Sequence, residues 1–171
     1  MATLFIFAGL PGTGKTTLSE RLARRVSAVH LRIDTVEQAL RDLCHLEVEG
    51  EGYRLSYRIA SDNLRMGMDV VADSCNPLEL TRREWEQVAE DTGSHFINIE
   101  VVCSDGREHR RRIESRTSDI SGLKLPLWRD IEDREYHSWS KDRIIIDTAG
   151  RSAADSIDAL MLALGISHET P

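Results

Sequence analysis

The sequence predicts an α/β fold in which a parallel sheet of five strands carries helices on both faces. Three observations lead there. Five short apolar, β-favouring runs recur along the 171 residues, and the stretches between them repeat their apolar residues at helical spacing. The runs are apolar at nearly every position, as in strands buried on both faces. Gly9, Asp34, Asp73, Cys103 and Asp147 stand at the strand ends, and open parallel sheets bind ligands beyond the carboxyl ends of their strands.

Taken in order, Thr3 to Ala8 is the first strand, and a helix beginning near Thr17 places Leu18 and Leu22 one turn apart. Ala28 to Asp34 alternates and reads as the second strand. Thr35 to Leu43 carries Val36, Ala39, Leu40 and Leu43 at helical spacing. The acidic, glycine-rich Glu47 to Gly52 is a mobile surface loop before a helix over Tyr53 to Met66. Asp69 to Asp73 is the third strand, Pro77 opens a helix that runs through Ala89, and Thr92-Gly93 closes it. His95 to Cys103 is the fourth strand. Gly106 to Arg116 is an arginine-rich helix, continued flexibly by the polar Thr117 to Lys124, and Pro126 to Trp139 is amphipathic and expected to be helical. Arg143 to Asp147 and Ser152 to Leu164 supply the fifth strand and the closing helix. Right-handed crossovers join such strands. Length and the absence of a linker predict one domain over 1–171, with a short arginine-rich lid at about 105–126.

Composition excludes several classes. The formal charge of −7 argues against a surface that wraps nucleic acid by bulk attraction. No apolar run is of membrane length and no secretory pattern is evident, so a soluble cytoplasmic protein with no membrane partner is expected. Cys44, Cys75 and Cys103 lack metal-ligand or disulfide spacing and read as reduced, mostly buried side chains. The six histidines, His168 among them, show no metal-ligand spacing, and His109 reads as a helix-surface residue. Trp85, Trp128 and Trp139 read as packing residues, with base stacking a lesser alternative.

Ala8 to Thr17 holds the chemistry. It contains G-x-x-x-x-G-K-[ST] with Gly9, Gly14, Lys15 and Thr16 in place, between a strand and a helix. The loop residues Gly9, Pro11, Gly12, Thr13, Gly14 and Thr17 are expected to surround polyphosphate, those other than Pro11 through backbone N–H groups, with the Lys15 ammonium on the β- and γ-phosphates and the Thr16 hydroxyl on Mg²⁺. Asp34, on the side where an acceptor approaches, suits a general base that takes a hydroxyl proton. It also stands where it would cap the following helix, with Glu37 completing the start. Asp73 suits an acid that holds Mg²⁺ through water, and a plain strand-end turn explains Asn76-Pro77 as well. His109, Arg112 and Arg116 share one helical face with Arg110 and Arg111 beside it. Such a face would close over a triphosphate as a lid, although charge runs are commonly solvated faces. Thr148 to Gly150 forms a small-residue loop fit for a wall beside a base, or simply a strand-to-helix turn.

These motifs, Gly9 to Thr17, Asp34, Asp73-Ser74-Cys75-Asn76 and His109 to Arg116, resemble those of the P-loop kinases. More narrowly, the chain is similar to the AAA-type group of small bacterial kinases that also resembles chloramphenicol phosphotransferase, adenylylsulfate kinase, gluconate kinase and the kinase domain of polynucleotide kinase. The resemblance implies strand order 2-3-1-4-5, ATP with Mg²⁺, and transfer of the γ-phosphoryl group to a hydroxyl. It implies Lys15 and Thr16 on triphosphate and metal, Asp34 as base, Asp73 near the metal, and Arg112, Arg116 and Arg110 as lid arginines. One departure bears on the acceptor. Polynucleotide and adenylylsulfate kinases share Asp-x-x-Arg after the second strand, whereas Asp34-Thr35-Val36-Glu37 ends on an acid here. A nucleic-acid end or a phosphosulfate is therefore less favoured as acceptor, although Arg32, Arg41, Arg54 and Arg58 stand nearby in sequence to compensate. The expectation is an ATP-dependent phosphotransferase acting on a small-molecule hydroxyl acceptor, with its pocket between Asp34 and the helices at Thr35 to Leu43 and Tyr53 to Met66. A polynucleotide 5′-hydroxyl kinase and a non-catalytic, toxin-like ATP-binding switch are the alternatives.

Overall fold

Alternation along the first strand sets the layers. Phe5 and Phe7 point into one core and Leu4 and Ile6 into the other, so both faces of the strand need helical cover. The computed structural model describes residues 1–166 and provides that cover; His168 lies outside them. The element order is β1 (Thr3–Ala8), α1 (Lys15–Val26), β2 (Val29–Arg32), α2 (Ile33–Cys44), α3 (Glu51–Arg65), β3 (Val70–Asp73), α4 (Glu79–Asp91), β4 (His95–Val102), α5 (Gly106–Ser115), α6 (Trp128–Glu132), β5 (Ile144–Asp147) and α7 (Ala153–Ala163). The five strands pair in parallel in the order β2-β3-β1-β4-β5, as expected.

On one face Leu18 and Leu22 of α1 pack with Ile157, Leu160 and Met161 of α7 against Phe5, Phe7, Ile99 and Val101. Each such side chain contributes about 1.5–3 kcal/mol on full burial. On the other face Ala60 and Leu64 of α3 and Trp85 and Ala89 of α4 cover Leu4, Ile6, Leu31 and Val70. Trp85 is fully buried, with its ring edge-on to Tyr57 at 4.6 Å. Among the described residues, no helix is long and apolar enough to cross a membrane.

Four local expectations change. The second strand stops at Arg32 and α2 begins at Ile33, so Asp34 lies in the first helical turn and does not cap the helix from outside; Arg32 holds the cap position, without a side-chain cap. Pro126 to Trp139 is helical only over Trp128–Glu132. Arg82 explains the rest: buried in α4, it donates to the carbonyls of Asn76, Pro77 and His137 at 2.8–3.1 Å, and its guanidinium lies 4.0 Å from the Trp139 ring centre. The chain is thus held in irregular backbone where the pattern alone favours a helix. His109 is buried rather than on the surface, and Cys44 is exposed rather than buried.

Candidate active site

The loop between β1 and α1 is shaped by glycines that no other residue replaces without strain. Gly9 has φ +140°, and a Cβ there would stand 2.2 Å from the Val101 carbonyl oxygen. Gly12 has φ +83°, and its Cβ would meet Ile113 of α5 at 2.6 Å. The Gly9 amide donates to the Cys75 carbonyl at 3.1 Å, which ties the start of the loop to the end of β3. Gly14, also at positive φ, is the N-cap of α1, and no side chain caps that helix. Helix amides and the helix dipole at such an end attract anions.

Lys15 is buried at the floor of the loop, with its Nζ 3.3 Å from Asp73 Oδ1. Burial pulls the ammonium down, but Asp73, with Cys75 and Asp34 behind it, outweighs that and holds its pKa above the ordinary lysine value. The second carboxylate oxygen of Asp73 is buried with no protein partner, as is the Ser74 hydroxyl. Asn76 fixes this corner by donating from Nδ2 to the Phe7 carbonyl at 2.8 Å.

Above the loop opens a cavity of about 1010 Å³. Lys15 and Thr16 line one side, Asp34 and Gln38 of α2 another, and residues 116–126 form a roof. Gly122 rests against the Gln38 amide, and Asp119 accepts two bonds from Arg32, at 2.6 and 2.9 Å. Glu37 pairs with Arg41 at 3.2 Å, and its carboxyl is raised by burial. A second cavity of about 250 Å³ adjoins, between the loop, Thr148, Arg151 and the start of α7.

Arg112 stands at the seam of the two cavities. It donates to the Thr148 hydroxyl at 2.7 Å, to the Thr148 carbonyl at 2.9 Å and to Glu108 at 2.7 Å. The Thr148 hydroxyl in turn donates to the Thr13 carbonyl at 2.7 Å. His109 Nε2 lies 2.7 Å from the Pro11 carbonyl oxygen, and Trp128 packs edge-on to its ring. Helix α5 therefore grips the glycine loop from outside. Residues 4–126 match the family described as AAA domain. The chain belongs to this AAA domain family. Both the glycine loop and the roof fall within the matched span.

No curated protein matches the sequence. Among solved structures, APS kinase from Mycobacterium tuberculosis in complex with AMPPNP and APS superposes with a TM-score of 0.68 at 17% identity, over 96% of this chain and 98% of its own. A sugar kinase from Janibacter gives 0.70 at 12% identity, over 98% and 96%. A gluconokinase from Sinorhizobium meliloti gives 0.67 at 12% identity, over 95% and 91%. The fold is thus one shared with small P-loop kinases.

Most of the residues singled out in the sequence of this AAA domain converge. Pro11, Gly12, Gly14, Lys15, Thr16, Thr17, Asp34, Arg112 and Arg116 line the larger cavity, and Thr148 lines the smaller. Thr13 is buried, and its hydroxyl is bonded to the Leu10 carbonyl at 2.9 Å. Gly9 and Asp73 also line neither cavity, Gly9 lying against Val101 and Asp73 against Lys15, and two more residues stand further apart. Arg110 is exposed and paired with Glu114 at 2.8 Å, while Gly150 lines neither cavity and gives its amide to Glu108. Helix α3 contributes nothing to the lining, so the predicted acceptor wall over Tyr53 to Met66 is replaced by the roof. None of the three tryptophans lines either cavity. Sequence reasoning missed His109, Asp119, Gln38 and Arg134. Only His109 gave a signal, because the buried Ile113 lies one turn beyond it and marks that helical face as inward.

Proposed function

We propose that the protein is an ATP- and Mg²⁺-dependent phosphotransferase that moves the γ-phosphoryl group to a hydroxyl of a small molecule. One observation carries the reading: a buried lysine at the foot of a glycine loop and a carboxylate, Asp34, line the same roofed cavity. The kinase fold of the solved relatives, one of them bound to AMPPNP, supports it.

The loop amides and Lys15 would bind the β- and γ-phosphates. Asp34 would orient the acceptor hydroxyl and take its proton as the oxygen attacks phosphorus. Arg116, half-buried at the end of α5 with its Nε unpartnered, would face the transferring group and offset its charge. Arg112 and Thr148 would border the base. Mg²⁺ fits the unpartnered buried oxygen of Asp73, with Thr16 as the other donor from the chain. Among the described residues no group of three acidic, histidine or cysteine side chains holds a metal alone, so the ion would arrive with the polyphosphate. Bound there, it would neutralise phosphate charge. Catalysis on this reading is positioning and charge neutralisation in a cavity that the roof shields from water.

The test is calorimetry with Mg·AMPPNP followed by an acceptor screen. Lys15→Ala is expected to weaken nucleotide binding by at least tenfold, which is about 1.4 kcal/mol. Asp34→Asn is expected to leave binding within about twofold and lower turnover by at least about 100-fold, in the range of general-base losses. Unchanged AMPPNP binding in Lys15→Ala, or full turnover in Asp34→Asn, overturns the assignment of that residue.

A further inference from the structure

The charges around Asp34 say something about the acceptor. Arg32 ends β2 and faces the cavity with its side chain only 16% exposed. Its two terminal nitrogens hold both oxygens of Asp119, whose side chain is 68% exposed and sits on the irregular roof. The Nε of Arg32 is buried without a partner, and Arg116 and Arg134 line the same space. Four acids line it against seven cationic side chains: Glu37 is engaged by Arg41 and Asp119 by Arg32, while Asp34 offsets part of the charge of Arg32 and Arg116, and Glu20 is the fourth. A neutral polyol placed beside Asp34 would displace water from the half-buried Arg32 and Arg116 without adding a counter-charge. An oxyanion would compensate them, and the planar Arg fork takes carboxylate or phosphate in two parallel bonds.

We infer that Arg32 is the anchor for an oxyanion on the acceptor, a carboxylate or a phosphate group, and that Asp119 occupies that anchor as a built-in stand-in which the acceptor displaces. The Asp119 carboxylate already shows the two-oxygen geometry. Asp119 is mostly exposed, so its carboxylate returns to water when a substrate oxyanion takes its place on Arg32. The inference rests on the proposed phosphotransferase reading and specifies its acceptor.

The test uses NMR titrations of the full chain saturated with Mg·AMPPNP, with glycerate, glycerol 3-phosphate and neutral glycerol as probes. At least one of the two anions is expected to bind at least fivefold more tightly than glycerol, and the pair separates a carboxylate from a phosphate preference. Asp119→Asn, an exposed and nearly isosteric change, is expected to tighten that anion at least threefold. Arg32→Gln is expected to weaken it at least tenfold with AMPPNP affinity held within twofold. Anions that bind no better than glycerol to both wild type and Asp119→Asn overturn the inference, as does Arg32→Gln binding them like wild type. Failure of AMPPNP itself to bind wild type would instead sink the nucleotide reading, and it is read in the same samples.

Discussion

The two sides of the cavity are built differently. On the loop side the walls are main chain: Gly9 abuts the Val101 carbonyl, Thr13 and Pro11 carbonyls are held by Thr148 and His109, and Lys15 is locked on Asp73. On the roof side the walls are side chains on irregular backbone, with Asp119 and Lys124 exposed and Arg32 reaching across to the roof. Main-chain walls fit a ligand part that never varies, such as polyphosphate. Side-chain walls change by substitution without disturbing the sheet, which on the proposed reading suits the part of the site that would select an acceptor.

Four substitutions sharpen or break this contrast. The largest effect is expected from Gly9→Ala, where the new methyl collides with backbone that cannot swing away; a loss of about 3–5 kcal/mol or failure to fold is expected, read by urea denaturation. Wild-type stability in Gly9→Ala would refute the rigid-wall description. Next is Arg82→Met, which keeps the stem but leaves the Asn76, Pro77 and His137 carbonyls without their donor. It should cost about 2–4 kcal/mol and release residues 133–142, seen as faster amide exchange there.

Gly122→Ala is the roof-side counterpart of Gly9→Ala. Its φ is +78°, but the new methyl meets side-chain atoms rather than backbone, the tightest being the Gln38 amide nitrogen at 3.0 Å, the movable end of a side chain. A loss of about 1 kcal/mol is expected, with the loop side unaffected and AMPPNP binding preserved. A loss as large as that of Gly9→Ala would erase the difference between the two walls.

The smallest effect concerns His30, which lies 3.0 Å from Ser19 and is held below the ordinary histidine pKa of 6.5 by burial, against the pull of Asp73. The folded state then binds fewer protons than the unfolded state in the interval between the lowered value and 6.5. Stability is therefore complete above pH 6.5 and declines as pH falls through that interval. Thermal melts between pH 7.5 and 5 should show a falling midpoint that His30→Gln flattens; an unchanged slope in that variant would locate the dependence elsewhere.

The strands, their order of appearance and the glycine loop were legible because each is written in local pattern. Phe5 and Phe7 against Leu4 and Ile6 encode two buried faces, and Gly9, Gly14, Lys15 and Thr16 encode a turn in eight residues. The roof was not. Residues Pro126 to Trp139 carry a helical pattern, yet Arg82, more than forty residues earlier, draws their carbonyls and rings onto itself. Arg112 reads as a lid arginine in sequence, whereas two of its bonds tie the β5–α7 turn to α5. For His109, Ile113 one turn on marks the face as inward, but the partner it meets there, the Pro11 carbonyl, lies 98 positions away and has no local sign.

By itself, then, the sequence determined the layered sheet and the anion-shaped loop, since periodic burial and glycine backbone freedom act over a few residues. Tertiary structure alone decided which charges face Asp34, because the Arg32 and Asp119 partnership spans 87 positions and exists only once β2 and the roof are brought together. Charge pairing follows distance in space, and no local pattern of residues encodes that distance.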